Sequence, residues 1–114
     1  MSRFLYHLAR RSEWQAAEAD GLYRGSADDR RDGFLHFSTA DQVVESARRH
    51  RMGEKDVLLV VVPEAALEGW RWEASRSGAL FPHLYGALPI KAVVAVHELP
   101  LGPNSAHIFP PLID

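Results

Sequence analysis

The chain has 114 residues and a formal net charge of -2, so we expect one domain, residues 1–114, with its own core. It has no cysteine, which excludes disulfides, thiolate zinc sites and cysteine nucleophiles and is typical of the reducing cytoplasm. The charge balance does not favour a nucleic-acid partner, and the longest apolar run, Val57 to Val62, is too short to cross a membrane. We therefore expect a cytoplasmic protein.

The first part of the chain predicts a strand followed by a short helix. Residues 4–9 are apolar and rich in aromatic side chains, which indicates a strand, and alternation places His7 on the same face as Leu5. Good helix formers follow at residues 13–19, and Gly21 stands where such a helix would end. A strand and a short helix are therefore expected before residue 22.

A polar segment and a second strand come next. Residues 24–32 are rich in Gly, Ser, Asp and Arg without periodicity, which predicts an exposed loop of the kind that often borders binding sites. Residues 33–38 predict a strand with Phe34, His36 and Ser38 on one face and two apolar side chains on the other. One face of this strand is therefore a candidate polar surface.

The middle of the chain gives the clearest signals. Thr39 and Gln42 have capping-box spacing, and apolar residues at helical intervals lead to a basic end at residues 48–51. Residues 56–62 form an unbroken apolar run that ends at Pro63, which predicts a central strand buried on both faces. We expect a second main helix and a central strand here.

The second half predicts strands and a long irregular loop. Residues 70–73 alternate as a strand does, whereas residues 75–89 contain several Gly and Pro among aromatics and predict a structured loop. Residues 90–99 predict a further strand, and residues 100–114 an extended C-terminal segment. The elements together predict a single small α+β domain with a split, mainly antiparallel sheet and two main helices.

Histidines in apolar strands are the first candidates for chemistry. His7 must find a partner for each ring nitrogen, as a satisfied core histidine or as a member of a site. His36 and Ser38 lie two residues apart on one strand face and could contact the same ligand. They lack the strand-turn-helix elbow that a serine nucleophile needs.

Two later segments add candidate residues. Phe81, His83 and Tyr85 combine aromatic rings with an imidazole, which suits a wall for a flat ring with a polar handle, or a plug that fills the core. Glu73 follows Trp72 and is either buried and paired or an exposed glutamate of an edge strand. Both segments enter the candidate site.

Several blocks of the sequence share their order and spacing with a known family. They are Tyr6-His7-Leu8, Gly21-Leu22-Tyr23 with Ser26, residues 32–38, Arg71-Trp72-Glu73 and residues 81–86. The set resembles the bacterial family known as domain of unknown function nine-five-two. The resemblance runs over residues 4–99, so the C-terminal segment lies outside it.

Proteins of that family look like compact relatives of the ADP-ribosyltransferase fold, whose split antiparallel sheet holds NAD in a central cleft. The resemblance implies that His7 is the histidine of the first core strand that contacts the nicotinamide-side ribose. His36 stands where many of these enzymes have tyrosine or serine on the next core strand. Glu73 is the candidate for the late glutamate that steadies the developing sugar cation.

The resemblance thus implies that NAD or a related nucleotide is the substrate, with ADP-ribose transfer or N-glycosidic cleavage as the reaction. The implied catalytic residues are His7, His36 and Glu73. The predicted ligand contacts, of which the aromatic rings would stack on a flat ring of the ligand, are Tyr23, Ser38, Phe81, His83 and Tyr85.

Two alternatives stay open. One is a non-catalytic module that binds a nucleotide or another small molecule through the same residues. The other is a metal-dependent hydrolase that uses His7, His36 and His83. No two of these histidines show the helical or His-x-His spacing of zinc ligands, so we expect no metal.

Overall fold

The computed structural model describes residues 3–113, which form three α-helices and three small antiparallel sheets. The helices are α1 Arg11–Asp20, α2 Ala27–Asp32 and α3 Ala40–His50, with short 3-10 turns at Glu64–Ala66 and Ile90–Ala92. The strands are β1 Phe4–Arg10, β2 Leu22–Tyr23, β3 Leu35–His36, β4 Val57–Pro63, β5 Trp70–Ala74, β6 Leu80–Leu84, β7 Leu88–Pro89 and β8 Ala95–Glu98.

The largest sheet has the order β1-β4-β8, with β4 in the middle. The prediction of a central buried strand is confirmed, because every residue from Val57 to Val62 is buried. Alternate β4 side chains enter different clusters: Val60 packs with Trp14 and Phe37 on one face, and Leu59 packs with Tyr6 on the other. One strand thus carries both halves of the core.

The second sheet, β3-β6-β5, meets the first along β1. Tyr6 and Ser38 exchange two backbone hydrogen bonds of 2.8 Å, so the chain leaving β3 crosses to the edge of the larger sheet. The remaining pair, β2 with β7, closes the end of the core beside α1. The prediction of a small α+β domain with antiparallel sheets is confirmed.

The two main helices lie where the sequence places them. Helix α1 ends at Gly21, whose φ of 87° lies in the left-handed region that glycine adopts without strain. Helix α3 begins at Thr39 with the expected capping box, in which the side chain of Gln42 returns to the amide of Thr39. Val43 and Ala47 face the core from this helix.

The predicted loop over residues 24–32 is wrong, because this segment contains helix α2. Ser26 and Asp29 form a capping box in which the Asp29 carboxylate accepts the Ser26 amide at 2.8 Å. The segment has no apolar periodicity, so the signal used for the other helices is missing. The Ser-x-x-Asp spacing was the available clue.

The predicted loop over residues 75–89 is wrong as well, because strand β6 runs through Pro82. In an antiparallel strand the N–H and C=O of one residue point to the same neighbour. The carbonyl of Pro82 accepts the Phe37 amide at 3.0 Å, so Pro82 directs its hydrogen-bonding groups toward β3 and away from β5. The missing N–H of Pro82 therefore faces Phe37, which lies just beyond the end of β3. Proline therefore removes no hydrogen bond to β5.

The strand predicted over residues 90–99 is shorter than expected. A 3-10 turn occupies its first residues, and β8 begins only at Ala95.

The C-terminal segment packs across the larger sheet, where Phe109 and Leu112 cover the cluster around Leu59. The Tyr6 hydroxyl donates to the Ile113 carbonyl at 2.5 Å and accepts the Ile113 amide at 3.1 Å. These two bonds hold the end of the described chain against β1. Within residues 3–113, no helix combines the length and apolar character needed to cross a membrane.

Replacing Tyr6 with phenylalanine tests this attachment. The ring is kept, so Tyr6→Phe should lower the free energy of unfolding by only about 1 kcal/mol, the usual net value of such hydrogen bonds. The amide of Ile113 should lose its protection from hydrogen exchange, measured by NMR. Unchanged protection of that amide would show that the apolar contacts alone hold the segment.

Candidate functional site

His7 is a buried, fully bonded histidine of β1. Its Nδ1–H donates to the His36 carbonyl at 2.6 Å, and its Nε2 accepts the Tyr23 hydroxyl at 2.7 Å. Burial lowers the pKa of His7 and outweighs the nearby Asp29 carboxylate, so the ring is neutral. Both ring nitrogens are used inside the protein, which corrects the ribose contact implied for His7.

Tyr23 also belongs to the core. It is 1% exposed, and its ring centroid lies 5.2 Å from the ring centroid of His7 and 5.2 Å from that of Trp14. Burial raises the pKa of Tyr23, so its hydroxyl stays protonated and keeps donating to His7. The prediction that Tyr23 stacks on a ligand is therefore corrected.

Asp29 is the residue of the site that the sequence did not reveal. Its carboxylate is buried and accepts four hydrogen bonds: Oδ1 from the His36 amide at 3.1 Å and His36 Nδ1 at 2.5 Å, and Oδ2 from the Ser26 amide at 2.8 Å and the Ser26 hydroxyl at 3.0 Å. Burial alone would raise the pKa of Asp29, but the hydrogen bonds from His36 and Ser26 outweigh it and lower the pKa below its usual range. Asp29 is thus a fixed negative charge beneath His36.

His36 is the group that this charge holds. Besides Asp29, the carboxylate of Asp32 lies 3.1 Å from His36 Nε2. The hydrogen bond with Asp29 raises the pKa of His36 despite partial burial. The side chain is 43% exposed, so the His36 imidazole stands at the surface on a buried carboxylate.

His36, His83 and Arg71 form one row across the second sheet, here called the basic row. His36 lies directly opposite His83, and His83 directly opposite Arg71, so the three side chains share a face. The ring centroids of His36 and His83 are 5.6 Å apart. The opposite face of the sheet packs on the core through Trp70, Trp72 and Leu84.

Glu73 lies beside the basic row and accepts hydrogen bonds from His83 and Tyr85. Its Oε1 accepts His83 Nδ1–H at 2.7 Å and the Tyr85 hydroxyl at 2.8 Å. These hydrogen bonds lower the pKa of Glu73 and raise that of Tyr85. Phe34 completes the cluster by stacking on His83, with ring centroids 4.0 Å apart and planes 22° apart.

The structure brings together four of the predicted residues, namely His36, Glu73, His83 and Tyr85. Phe81 lies opposite Glu73 in the register of β5 and β6, one step along the same face. Ser38 instead has its hydroxyl 3.3 Å from that of Ser46 in α3, so the joint ligand contact predicted for Ser38 and His36 is not supported. Within residues 3–113, no three His, Asp or Glu side chains are arranged to hold a metal ion.

Two surface depressions lie away from this cluster. One is bordered by Arg10 and Arg11, which already form ion pairs with Glu54 and Asp56. The other lies beneath the C-terminal segment and is lined largely by apolar side chains. Neither includes a residue of the basic row, so the chemical argument depends on the exposed face of the second sheet.

Fold and site together define a small α+β domain that displays histidine–carboxylate pairs on one sheet face. The chain belongs to the family described as protein of unknown function, DUF952, whose profile matches residues 8–96. Comparison with curated proteins gives no significant match.

Solved structures of one bacterial protein share this fold. The crystal structure of CC0527 from Caulobacter crescentus has a TM-score of 0.87 and 39% identity over 92% of this chain and 93% of that one. Its solution NMR structure has a TM-score of 0.81 at 39% identity, covering 91% of this chain and 90% of that one. The likeness therefore extends over nearly the whole domain.

The two histidines around Asp29 should titrate on opposite sides of pH 6.5, the ordinary value for histidine. NMR of the ring Cε1–H signals should give a pKa above that value for His36 and below it for His7. Because its folded-state pKa is raised, His36 stabilises the fold fully below pH 6.5, and this stabilisation is lost as pH rises through that raised pKa. The stability difference between wild type and His36→Asn should therefore shrink over that range. A difference independent of pH would contradict the pairing with Asp29.

Gly25 is the backbone position that brings the chain over Asp29. Its φ is +89°, and an added Cβ would lie 2.6 Å from Asp29 Cβ and 2.5 Å from Leu35 Cδ2. Gly25→Ala should lower the free energy of unfolding by about 2–4 kcal/mol, from backbone strain and the forced shift of its neighbours. Gly21→Ala is the matched control, since its φ is +87° with no atom within 4 Å, and should cost about 1 kcal/mol. Equal losses in urea unfolding would refute the close approach.

Proposed function

We propose that the face carrying the basic row binds a nucleotide and acts on the N-glycosidic bond of NAD or a related dinucleotide. The observation that carries this proposal is an ionised carboxylate, Glu73, held by His83 and Tyr85, with His36 on the strand beyond His83. Cleavage of such a bond passes through an oxocarbenium-like state that a carboxylate and bonds to the ribose hydroxyls stabilise. The resemblance to the ADP-ribosyltransferase fold, with its split antiparallel sheet, supports the same reaction class.

Glu73 stabilises the developing sugar cation in this proposal. Its Oε1 holds His83 and Tyr85, and within residues 3–113 its Oε2 accepts no hydrogen bond, so Oε2 serves the sugar. Its lowered pKa keeps the carboxylate charged at neutral pH. The charge is therefore in place before the bond begins to break, which avoids reorganisation in the transition state.

The bond breaks with its electron pair leaving on the nicotinamide nitrogen, which departs neutral. Water or an acceptor hydroxyl then bonds to the anomeric carbon, and its proton passes to His83. Nδ1 of His83 donates to Glu73, so Nε2 is the nitrogen that can accept this proton. His36 Nε2, now close to the half-exposed Asp32, turns to a ribose hydroxyl when the ligand displaces that carboxylate.

His7 and Asp29 act as positioning residues. His7 holds the His36 carbonyl, and Asp29 holds the His36 amide and ring, so backbone and side chain of His36 are fixed from two directions. Neither residue touches the ligand in this proposal. Their replacement should disturb the orientation and pKa of His36 before it disturbs binding of the base.

The proposal is tested with NAD and Glu73→Gln. Wild type should bind NAD in calorimetric titration and release nicotinamide, detected by chromatography, whereas Glu73→Gln should bind NAD and turn over on the order of 100-fold more slowly. Glu68→Gln, at an exposed glutamate outside the cluster, is the control and should match wild type. Binding without nicotinamide release would show a non-catalytic nucleotide module, and absence of binding would refute the proposal.

A further inference from the structure

We infer that Arg71, at the outer end of the basic row, recognises a phosphate, so the ligand class of this face is a nucleoside phosphate or diphosphate. A nucleoside without phosphate can still bind through its base but lacks the contact with Arg71. The inference deepens the proposed function and depends on it for placing the ligand on this face. It does not depend on the N-glycosidic bond being broken.

Register places Arg71 within reach of a ligand that also lies over His83 and His36. His36, His83 and Arg71 stand on three neighbouring strands, and such strands lie about 4.8 Å apart. A ligand with its phosphate on Arg71 can therefore extend along the row toward His36. Arginine presents a planar fork of N–H donors that matches phosphate oxygens in pairs.

Arg71 differs from most exposed arginines of this protein in what it contacts. Arginines 10, 11, 24, 31, 48 and 49 each lie within 4 Å of a carboxylate. Arg71 forms no ion pair among residues 3–113, and its guanidinium lies 4.7 Å from the centroid of the Tyr85 ring. Stacking restrains the group while its N–H donors stay open to an incoming anion.

The carboxylates of the cluster favour the Arg71 end for an anion. Asp29 and Asp32 both contact His36, at the β3 end of the row. Glu73 lies on β5 with Arg71, but its Oε1 accepts hydrogen bonds from His83 and Tyr85. The β3 end thus carries two carboxylates for one imidazole, whereas at the other end the guanidinium of Arg71 offsets the single carboxylate of Glu73. A phosphate is therefore repelled least at Arg71, and the sugar hydroxyls suit the β3 end.

Aromatic side chains next to Arg71 suit the ring of a nucleoside. Tyr85 is 39% exposed, and its centroid lies 5.3 Å from that of Phe34. A base stacked on the face of Tyr85 that Arg71 leaves open would place its 5′-phosphate near the guanidinium on the other face. Phosphate and base are thus recognised by adjacent groups of one surface.

Three probes separate the parts of this ligand: inorganic pyrophosphate, ADP-ribose and adenosine. NMR titration of wild type should shift the Nε–Hε signal of Arg71 with pyrophosphate and with ADP-ribose, but not with adenosine. Arg71→Gln should weaken ADP-ribose binding about 10-fold or more and adenosine binding less than about 2-fold, since one charged contact to phosphate is lost. Arg71→Lys should recover only part of the affinity, because lysine cannot bind in a fork.

Arg76→Gln is the matched control, at an exposed arginine in the turn between β5 and β6, and should bind all three probes as wild type does. Unchanged thermal midpoints should show that each variant folds. Equal weakening of adenosine and ADP-ribose by Arg71→Gln would overturn the phosphate role, as would a pyrophosphate titration that leaves Arg71 unshifted. Pyrophosphate binding at Arg71 without nicotinamide release from NAD would keep this inference and refute the proposed reaction.

Discussion

The buried carboxylate of Asp29 is the constraint on which the site depends. A charge in the interior is tolerated when hydrogen bonds replace the lost water, and Asp29 accepts four of them. Two come from Ser26 and begin helix α2, and two come from His36 and fix the end of β3. A helix, a strand and a surface imidazole are thus organised around one side chain, so the polarity of the site is set from inside the protein.

Elements defined by local pattern could be predicted from the sequence. β4 is a continuous apolar run, α3 has a capping box and helical periodicity, and Gly21 ends α1. Helix α2 could not be found by periodicity, because it has no apolar stripe and is held by its capping box and by the bonds of Asp29 to His36. Strand β6 was missed because proline inside a sheet usually removes a hydrogen bond. Whether Pro82 does so depends on which neighbouring strand its missing N–H faces, and only the folded sheet shows this.

The sequence allowed several residues of the candidate site to be predicted, but not how these residues are arranged. His36, Glu73, His83 and Tyr85 stood out as polar groups among apolar residues. Their meeting depends on the register of β3, β6 and β5, which joins residues far apart in sequence and leaves no local pattern. Arg71 enters the site through that register alone. His7 stood out for the right physical reason, an imidazole in an apolar strand, yet its partners make it part of the core.

Consecutive residues of β1 join the two sheets in different ways. The backbone of Tyr6 pairs with Ser38, and the side chain of His7 holds the carbonyl of His36. The larger sheet therefore acts as a mechanical support for the smaller one at the position where the basic row begins. A cavity created deep in β4, which pairs along the whole of β1, would tilt that support and misalign His36 with every residue of the row unchanged. The alignment of the row is thus coupled to packing in a strand that contributes no residue to it.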